Sequence, residues 1–288
     1  MLRVNRVKEV EVFPGSSMLV KGEIPPSSLL LIGPSGVGKT IFCKHFIFNG
    51  FLANEPCIYV NTSEVPEEIE YSMNSFGLNI KPYEEKNMIR IIDGCSWKSG
   101  KESSSEYAVD SKQDYLTAIC IKIQKAQQNL KIRRFVFDSI SEIAAFCEPQ
   151  SLLNTLQRLT TTIRLDGGKA IFTVAAGAHD EHFMNLLRLT FDGIIEMKFD
   201  ETNYETKRLL RIFSLKGVMH KTSWTPFEIT NKGITIKPDS QLRCALCSKQ
   251  IDWEPIYATI EGKKIPFDSL ECVNTYKKFK NIYGQNFE

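Results

Sequence analysis

The feature that most constrains the fold is a glycine-rich segment at residues 33–40, which stands between an apolar run and a helical pattern. It reads GPSGVGKT and fits the spacing G-x-x-x-x-G-K-[S/T]. Residues 28–32 before it are typical of a buried strand, and residues 40–53 after it are typical of a helix. Glycines let backbone N–H groups converge on an anion, and the start of a helix attracts negative charge. This context predicts a P-loop for the phosphates of a nucleoside triphosphate.

The motif gives each residue type a part in binding ATP with Mg²⁺. The ammonium of Lys39 reaches the β- and γ-phosphates, and the hydroxyl of Thr40 is a ligand for Mg²⁺. The predicted binding set comprises the loop and the first turn of the helix: Gly33, Ser35, Gly36, Val37, Gly38, Lys39, Thr40 and Phe42.

A second magnesium-side group is predicted at Asp138, which ends the apolar run 134–137. A carboxylate at the carboxyl end of a strand beside a P-loop is placed to act as a Walker B aspartate. The alternative is an aspartate that only caps the following helix. The presence of the P-loop favours the Walker B interpretation.

Hydrolysis also needs a group that orients or deprotonates the attacking water. Glu64 follows the apolar run 57–61 and is expected at the same edge of the sheet. Its alternative role is electrostatic, near the N-terminus of a helix predicted at 66–76. Asp93 and Glu142 are further candidates. The predicted catalytic residues are Lys39, Glu64 and Asp138.

Short apolar runs alternate with longer helical patterns, which predicts an α/β fold with a mostly parallel sheet. The predicted strands are 28–32, 57–61, 89–92, 134–137, 170–175, 193–199 and 208–215, and the predicted helices are 40–53, 66–76, 114–130 and 150–165. The polar segment 94–113 is predicted to be a mobile surface loop. Residues 224–238 are typical of a hairpin with its turn at 231–233.

Composition changes near residue 239, where clustered cysteines are followed by a lysine-rich helical end. We therefore predict two domains, 1–239 and 240–288. The N-terminus lacks the apolar stretch of a signal peptide and no apolar run is long enough to span a bilayer, so a cytoplasmic protein with no membrane insertion is expected. In that compartment thiols stay reduced. Five of the eight cysteines lie mostly within apolar stretches and are interpreted as small buried hydrophobes: Cys43, Cys57, Cys95, Cys120 and Cys147.

Several motifs outside the P-loop resemble the KaiC-like branch of the RecA superfamily of P-loop ATPases. They are G-E-I-P at 22–25, Y-V-N-T-S-E-V-P-E-E-I at 59–69, S-F-G at 75–77, D-G-I-I at 192–195, and K-G at 216–217 with His220. The resemblance covers roughly residues 7–237. It implies a RecA-like sheet flanked by helices, ATP hydrolysis, and a ring-like homo-oligomer, with a hexamer expected and ATP at the subunit interfaces.

Two departures from the family pattern concern turnover and subunit contacts. The family has paired glutamates where this chain has Ser63 and Glu64, and the first of the pair usually activates water, so weak turnover is expected. In the family's K-x-R-G element this chain has Ser214 and Lys216. By resemblance, Arg208, Lys216 and His220 are expected to reach the neighbouring subunit's phosphate site. The alternative is that each is an ordinary exposed basic residue.

A possible zinc site follows in the C-terminal segment. Cys244 and Cys247 form a C-x-x-C pair, Cys272 follows later, and three thiolates suit Zn²⁺ although a closed structural site has four ligands. The segment resembles small treble-clef modules of the YHS/TRASH type, with Asp268 where the fourth cysteine would stand. The resemblance implies a Cys₃Asp zinc site. The alternative is a lost metal site whose thiols are merely buried.

Three functions follow from these features. The first is a Mg²⁺-dependent regulatory or assembly ATPase that acts on an unknown protein partner. The second is an ATP-dependent regulatory scaffold that does not hydrolyse ATP, which Ser63 favours. The third is a DNA-binding recombinase-like protein, which ranks last because the formal charge is only +2 and the segments after Asp138 and Ala175 are acidic. Nucleic acid is therefore not an expected partner.

Overall fold

A computed structural model of the protein describes residues 10–100, 102–110, 114–202, 205–236, 243–249, 251 and 255–284. The strands in these ranges are β1 (Val20–Lys21), β2 (Ser27–Gly33), β3 (Cys57–Asn61), β4 (Ile89–Asp93), β5 (Arg134–Asp138), β6 (Lys169–Ala175), β7 (Gly193–Thr202), β8 (Glu205–Leu215), β9 (Met219–His220), β10 (Thr225–Thr230), β11 (Gly233–Ile236), β12 (Ile256–Ile260) and β13 (Lys263–Phe267). The helices are α1 (Ser16–Leu19), α2 (Lys39–Leu52), α3 (Pro66–Ser75), α4 (Lys81–Glu84), α5 (Tyr115–Gln127), α6 (Ile140–Ala144), α7 (Pro149–Leu165), α8 (Glu181–Thr190) and α9 (Leu270–Tyr283). None of these helices is long and apolar enough to cross a membrane.

Nine strands form the central sheet, in the order β11-β10-β8-β7-β2-β6-β5-β3-β4. The six strands from β7 to β4 run parallel to one another, and β8, β10 and β11 extend the sheet with antiparallel pairings. All side chains of β2, β3 and β5 are buried, as apolar strands covered on both faces should be. The predicted α/β class is confirmed, and all seven predicted strands are present.

Helices cover the sheet on both faces, so the sheet separates two hydrophobic cores. On one face α2 contributes Phe42, Phe46 and Ile47 to a core that includes Tyr59 and Val136. On the other face the apolar sides of α5, α7 and α8 pack against Leu30, Phe135 and Phe172, among other residues. Because β2, β3 and β5 are parallel, their carboxyl ends meet at one edge of the sheet. This edge carries the residues that the sequence predicts to bind ATP.

The segment predicted to be a mobile loop at 94–113 is anchored where the structure describes it. The buried carboxylate of Asp93 accepts hydrogen bonds from the backbone N–H groups of Cys95 (2.8 Å) and Ser96 (3.0 Å) and from the hydroxyls of Ser96 and Ser103. A 3₁₀ turn at Ser96–Ser99 follows. Part of the polar composition of the segment therefore serves hydrogen bonds to the one buried carboxylate of Asp93.

Helix α8 is absent from the sequence prediction. It begins after Asp180, whose carboxylate accepts a hydrogen bond from the N–H of Phe183 (2.8 Å) and so caps the helix. The predicted hairpin near residue 231 is confirmed as β10 and β11, and Gly233 after the turn has a φ of +79°.

The C-terminal residues form a small separate core. The hairpin β12–β13 packs against α9, and the buried residues of this unit are Cys244, Ile251, Ala258, Phe267 and Val273. The predicted domain boundary at 239/240 lies outside the described residues.

Candidate functional site

The P-loop joins β2 to α2 and leaves the helix N-terminus uncapped. Gly36 and Gly38 have φ values of +77° and +116°, a region that side chains with a Cβ rarely adopt. No side chain accepts a hydrogen bond from the first N–H groups of α2. Since the first turn of a helix has no intrahelical acceptors for these groups, they point their partial positive charge into the loop. The loop therefore presents an anion site at this end of α2.

Lys39, the first residue of α2, lies folded over the loop. Its ammonium donates to the carbonyl oxygens of Gly33 (2.7 Å) and Pro34 (2.9 Å). Burial lowers the pKa of Lys39, while the nearby carboxylate of Asp138 opposes this shift. The carbonyls of the loop thus hold the cation at the cradle.

Asp138 is buried at the carboxyl end of β5 and is oriented by its two neighbouring strands. Thr173 of β6 donates its hydroxyl hydrogen bond to Oδ1, and Tyr59 of β3 donates to Oδ2 at 3.3 Å. Helix α6 has Ser139 at its N-cap and no side-chain cap. The alternative role of Asp138, as a helix cap, is therefore not what this structure shows.

A cleft of about 690 Å³ opens over the P-loop. Its lining includes most of the predicted phosphate and magnesium residues: Ser35, Gly36, Gly38, Lys39, Thr40 and Asp138. The hydroxyl of Thr40 and the carboxylate of Asp138 are oxygen donors of the kind that Mg²⁺ prefers. The residues present therefore fit a triphosphate with its magnesium ion.

Two residues of the predicted nucleotide set are buried behind the loop. Phe42 is fully buried, its ring centroid lies 5.9 Å from that of Phe13, and its N–H donates to Gly38 O at 2.9 Å. Phe42 is thus a core residue, and its assignment to the nucleotide is corrected. The side chain of Val37 is also fully buried, which leaves only its backbone near the cradle.

Glu64 does not line the cleft, and its carboxylate is used elsewhere. One oxygen lies 2.6 Å from the ammonium of Lys44, whose side chain is 1% exposed and also donates to the hydroxyl of Ser72. Asn61 accepts hydrogen bonds from the N–H groups of Ser63 (2.8 Å) and Glu64 (2.7 Å), which sharpens the turn after β3. This turn leaves Ser63 in the cleft lining. The structure therefore places Glu64 in an ion pair with Lys44, and its role in water activation stays a prediction.

The three basic residues expected at a subunit interface do not line the cleft of their own chain. The guanidinium of Arg208 lies 5.6 Å from the ring centroid of Phe199, and the ammonium of Lys216 lies 3.7 Å from a carboxylate oxygen of Asp192. Nδ1 of His220 is 2.8 Å from the carbonyl oxygen of Val218.

Two charged residues of the cleft stand outside the predicted set, although Glu142 was a further candidate. Lys98 and Glu142 both line the cleft and form an ion pair. Glu142 stands four residues after Asp138, in the first turn of α6, which is a usable sequence clue. Lys98 comes from the polar segment after β4, and no motif singles it out.

A second site is formed by the cysteine cluster, by which we mean Cys244, Cys247, Asp268 and Cys272. Their ligand atoms all lie within 4.8 Å of one another. Sγ of Cys247 donates to Oδ2 of Asp268 at 3.7 Å, and the N-cap Ser269 of α9 accepts from the N–H of Cys272 at 3.1 Å. Three sulfurs and one carboxylate at this separation suit tetrahedral Zn²⁺.

Hydrogen bonds within the cysteine cluster shift the pKa values of its members. Hydrogen bonds from the thiols of Cys272 and Cys244 hold the pKa of Asp268 below its usual value. Although burial raises the pKa of Cys244, the N–H groups of Cys247, Asp268 and Leu246 lower it overall. For Cys272 the hydrogen bond from Ser269 favours the thiolate, but the contact with Asp268 and burial prevail and raise its pKa to about 12. A shared network of thiols around one carboxylate thus holds the four ligands together.

Comparison with known proteins identifies a family that matches most of the chain. Residues 14–241 match the family described as ATPase: KaiC. The chain is 32% identical over 233 residues to the UPF0273 protein PH0284 of Pyrococcus horikoshii, and the match covers 80% of this chain and 94% of that relative. It is 31% identical over 237 residues to a UPF0273 protein of Thermotoga maritima, covering 81% and 97% of the two chains.

Among solved structures, the crystal structure of the KaiC-like protein PH0186 from Pyrococcus horikoshii is similar, with a TM-score of 0.63 and 26% sequence identity. That match covers 79% of this chain and 97% of the other. The family match ends before Cys244, so the cysteine cluster lies outside it.

Proposed function

Because the chain belongs to the KaiC family of ATPases, we propose that it binds ATP with Mg²⁺ in the P-loop cleft and hydrolyses it as a regulatory or assembly ATPase. The observation that carries this proposal is the shared cleft, where Lys39 and the uncapped start of α2 meet the oriented carboxylate of Asp138. An anion cradle beside fixed oxygen ligands is the arrangement that phosphoryl transfer needs.

In this proposal, Thr40 and Asp138 hold the magnesium ion. When bound, Mg²⁺ neutralises phosphate charge and orients the triphosphate. Lys39 exchanges its two carbonyl partners for phosphate oxygens, and the N–H groups of the loop donate hydrogen bonds to the β-phosphate. Asp138 is kept in one orientation by Tyr59 and Thr173, so little reorganisation is needed on binding.

The proposal is tested by measuring ATP binding and phosphate release on the purified protein with and without Mg²⁺. We expect binding to depend on Mg²⁺, and Thr40→Ala or Asp138→Ala to weaken that dependence. Asp110→Ala is a matched control, because Asp110 is an exposed acid whose side chain pairs with Lys122 away from the cleft. ATP binding that is indifferent to chelation of magnesium would show that the two ligand roles are misassigned.

The second candidate function is an ATP-loaded scaffold that does not hydrolyse ATP. The observation that favours it is Ser63, a hydroxyl in the cleft at the place where the family's water-activating glutamate is expected. Tight ATP binding without phosphate release would select this function over the first.

We also propose a ring-like homo-oligomer, hexameric by family resemblance, with ATP at its interfaces. Its support is that Arg208, Lys216 and His220 stand outside the cleft of their own chain, and that Lys216 is 67% exposed. In a ring these side chains reach the nucleotide of the next subunit. Light scattering with and without ATP tests the ring, and a monomer under both conditions would contradict it.

For the C-terminal segment, we propose a separate domain, residues 240–288, that binds one Zn²⁺ through the cysteine cluster. The support is the close approach of the four ligand atoms and the small core that surrounds them. A unit of this size has little apolar burial of its own, so a metal ion is a usual source of its stability. Such a domain is suited to docking an unknown protein partner or to sensing metal.

A further inference from the structure

The turn after β3 leaves the nucleotide cleft without the carboxylate that hydrolysis is expected to use. Ser63 occupies the lining, and Glu64 is drawn away by the buried ammonium of Lys44. A serine hydroxyl is too weak a base to take a proton from water at neutral pH unless another base assists it. If the proposed ATPase function holds, the proton from the attacking water must go to another group in the cleft.

Only two carboxylates line the cleft among the described residues, Asp138 and Glu142. Asp138 is buried and its two oxygens accept hydrogen bonds from Thr173 and Tyr59, so it is committed to the magnesium side. Glu142 is 37% exposed, so water has access to its carboxylate. Its helix α6 is fixed to the sheet, because the hydroxyl of the adjacent Ser141 accepts a hydrogen bond from Ala175 N (2.9 Å) at the end of β6.

The partner of Glu142 is Lys98, which is held beside Ser63, the residue that stands where the family has its glutamate. Its ammonium donates to Thr62 O at 2.7 Å, directly before Ser63. The N–H of Thr62 in turn donates to Asp138 O at 2.9 Å. Two hydrogen bonds therefore link Lys98 to the backbone of Asp138, and this places the ammonium between the ends of β3 and β5. An ammonium has three donors, and these contacts use two of them.

The charges of the cleft predict what a triphosphate does to this pair. Among the lining residues, the two positive charges of Lys39 and Lys98 balance the two negative charges of Asp138 and Glu142. A nucleoside triphosphate adds several negative charges, and its terminal phosphate competes with Glu142 for the ammonium of Lys98. Because the phosphate charge repels the carboxylate of Glu142 while it attracts Lys98, Glu142 then separates from Lys98 and keeps a lone pair for water.

We propose that Lys98 binds the γ-phosphate and that Glu142 is the general base for the attacking water, so that the pair replaces the family's glutamate. Glu142 takes one proton from water as the water oxygen forms a bond to the γ-phosphorus. The bond between that phosphorus and the β–γ bridging oxygen breaks, and ADP leaves with that oxygen. The proton on Glu142 then passes to the products or to solvent, which balances the reaction.

An ordinary structural salt bridge between the turn Ser96–Ser99 and α6 is the competing explanation. It predicts that breaking the pair disturbs ATP and ADP binding equally, through the shape of the cleft. The proposal predicts opposite effects of the two partners on ATP and little effect on ADP, because ADP lacks the γ-phosphate. Binding therefore distinguishes the two explanations without reference to activity.

The experiment measures the affinity of the full-length protein for ATP and ADP with Mg²⁺, together with phosphate release, in Lys98→Met and Glu142→Gln. We expect Lys98→Met to weaken ATP binding by roughly tenfold or more, the scale of one charge-assisted hydrogen bond, with ADP binding nearly unchanged. We expect Glu142→Gln to strengthen ATP binding and to slow phosphate release by ~10²-fold or more, the usual scale for a general base.

The control variants distinguish an effect of the Lys98 charge from an effect of the shape of the cleft. Lys98→Arg keeps the cation and should keep the preference for ATP over ADP. Lys86→Met and Glu85→Gln change the same residue types on exposed positions before β4, at the opposite edge of the sheet, and should change neither binding nor rate. Thermal unfolding of each variant verifies that it is folded.

Equal losses of ATP and ADP affinity in the two variants would overturn the proposal, and so would an unchanged rate in Glu142→Gln. ATP binding without any phosphate release in the unmodified protein would also overturn the role of Glu142, while leaving nucleotide binding intact. Absence of ATP binding in the unmodified protein would instead overturn the proposed function itself.

Discussion

The nucleotide cleft and the cysteine cluster both gather ligand side chains, but the chain holds them in different ways. In the cleft, Asp138 is buried in a nine-stranded sheet and is oriented by side chains of both neighbouring strands. In the cluster, Cys247 is exposed, and its thiol donates a long hydrogen bond of 3.7 Å to Asp268. The cluster rests on a two-stranded hairpin and one helix.

The two sites therefore differ in the source of their stability. An isolated hairpin is marginally stable in water, and the C-terminal unit adds only a few buried residues to it. The large sheet builds the cleft from its own packing, whereas we expect the C-terminal unit to depend on the proposed zinc ion for its stability.

Removal of zinc should have the largest effect. A zinc-selective chelator in Mg²⁺ buffer should unfold the C-terminal unit, because metal binding supplies folding free energy that its core lacks. Proteolysis followed by mass spectrometry should show cuts after residue 239, while ATP affinity stays unchanged. The same chelator presaturated with zinc is the control. A protein that is purified without metal and still has a protease-resistant C-terminal unit would contradict the zinc site.

Next in size is the loss of the P-loop cation. Lys39→Ala should lower ATP affinity by ~10²-fold or more, because it removes two charge-assisted hydrogen bonds to phosphate. The zinc content should stay at about one ion per chain, since the two sites belong to separate cores. Titration with a fluorescent ATP analogue and elemental analysis measure the two quantities. Micromolar ATP affinity in this variant would contradict the assignment of the cleft as the ATP-binding site.

Loss of the ion pair between Lys44 and Glu64 should have a smaller effect, which falls on the stability of the fold. Glu64→Gln should lower the free energy of unfolding by about 2 kcal/mol, less than for a fully buried pair because Glu64 is 27% exposed. Urea denaturation measures this loss, and the double variant Lys44→Met with Glu64→Gln should recover most of it. Phosphate release per folded molecule should change little. A stable variant with a ~10²-fold slower rate would return Glu64 to the catalytic role.

The smallest effect is expected at the cluster's one carboxylate. Asp268→Cys should tighten zinc binding by about tenfold, because thiolate is the softer ligand and completes a Cys₄ tetrahedron. Asp268→Asn should weaken it, since a neutral amide is a poorer ligand. Competition with a chromophoric chelator measures both changes. Equal affinity in all three proteins would show that residue 268 is not a ligand.

Local pattern was enough to predict the sheet and the phosphate cradle. The runs that became β2, β3 and β5 are apolar throughout, and the P-loop spacing is defined by neighbouring residues. For the same reason Asp138 could be placed at the right edge of the sheet. These inferences need only the direction of a strand and the position of its last residue.

Side-chain direction could not be predicted in the same way. Whether Glu64 or Ser63 faces the cleft depends on Asn61, which sharpens the turn, and on Lys44, which comes from a different helix. Lys98 reaches the cleft because Thr62 O and Glu142 hold it there. Phe42 is different, because its spacing from Phe46 on α2 already indicated a core position.

The ammonium of Lys39 is hydrogen-bonded to the carbonyls of Gly33 and Pro34. These two carbonyls therefore compete with an incoming anion for the ammonium. An anion that takes both of these N–H donors must displace the two carbonyls, each held by a charge-assisted bond of about 1.5–3 kcal/mol. The apparent affinity for such an anion is therefore its intrinsic affinity multiplied by the fraction of molecules whose lysine is free of the carbonyls. A single free phosphate replaces the carbonyls poorly, whereas the β- and γ-phosphates of one triphosphate replace both together. We therefore expect the contacts of Lys39 with the two carbonyls to make the cradle select polyphosphates over simple anions.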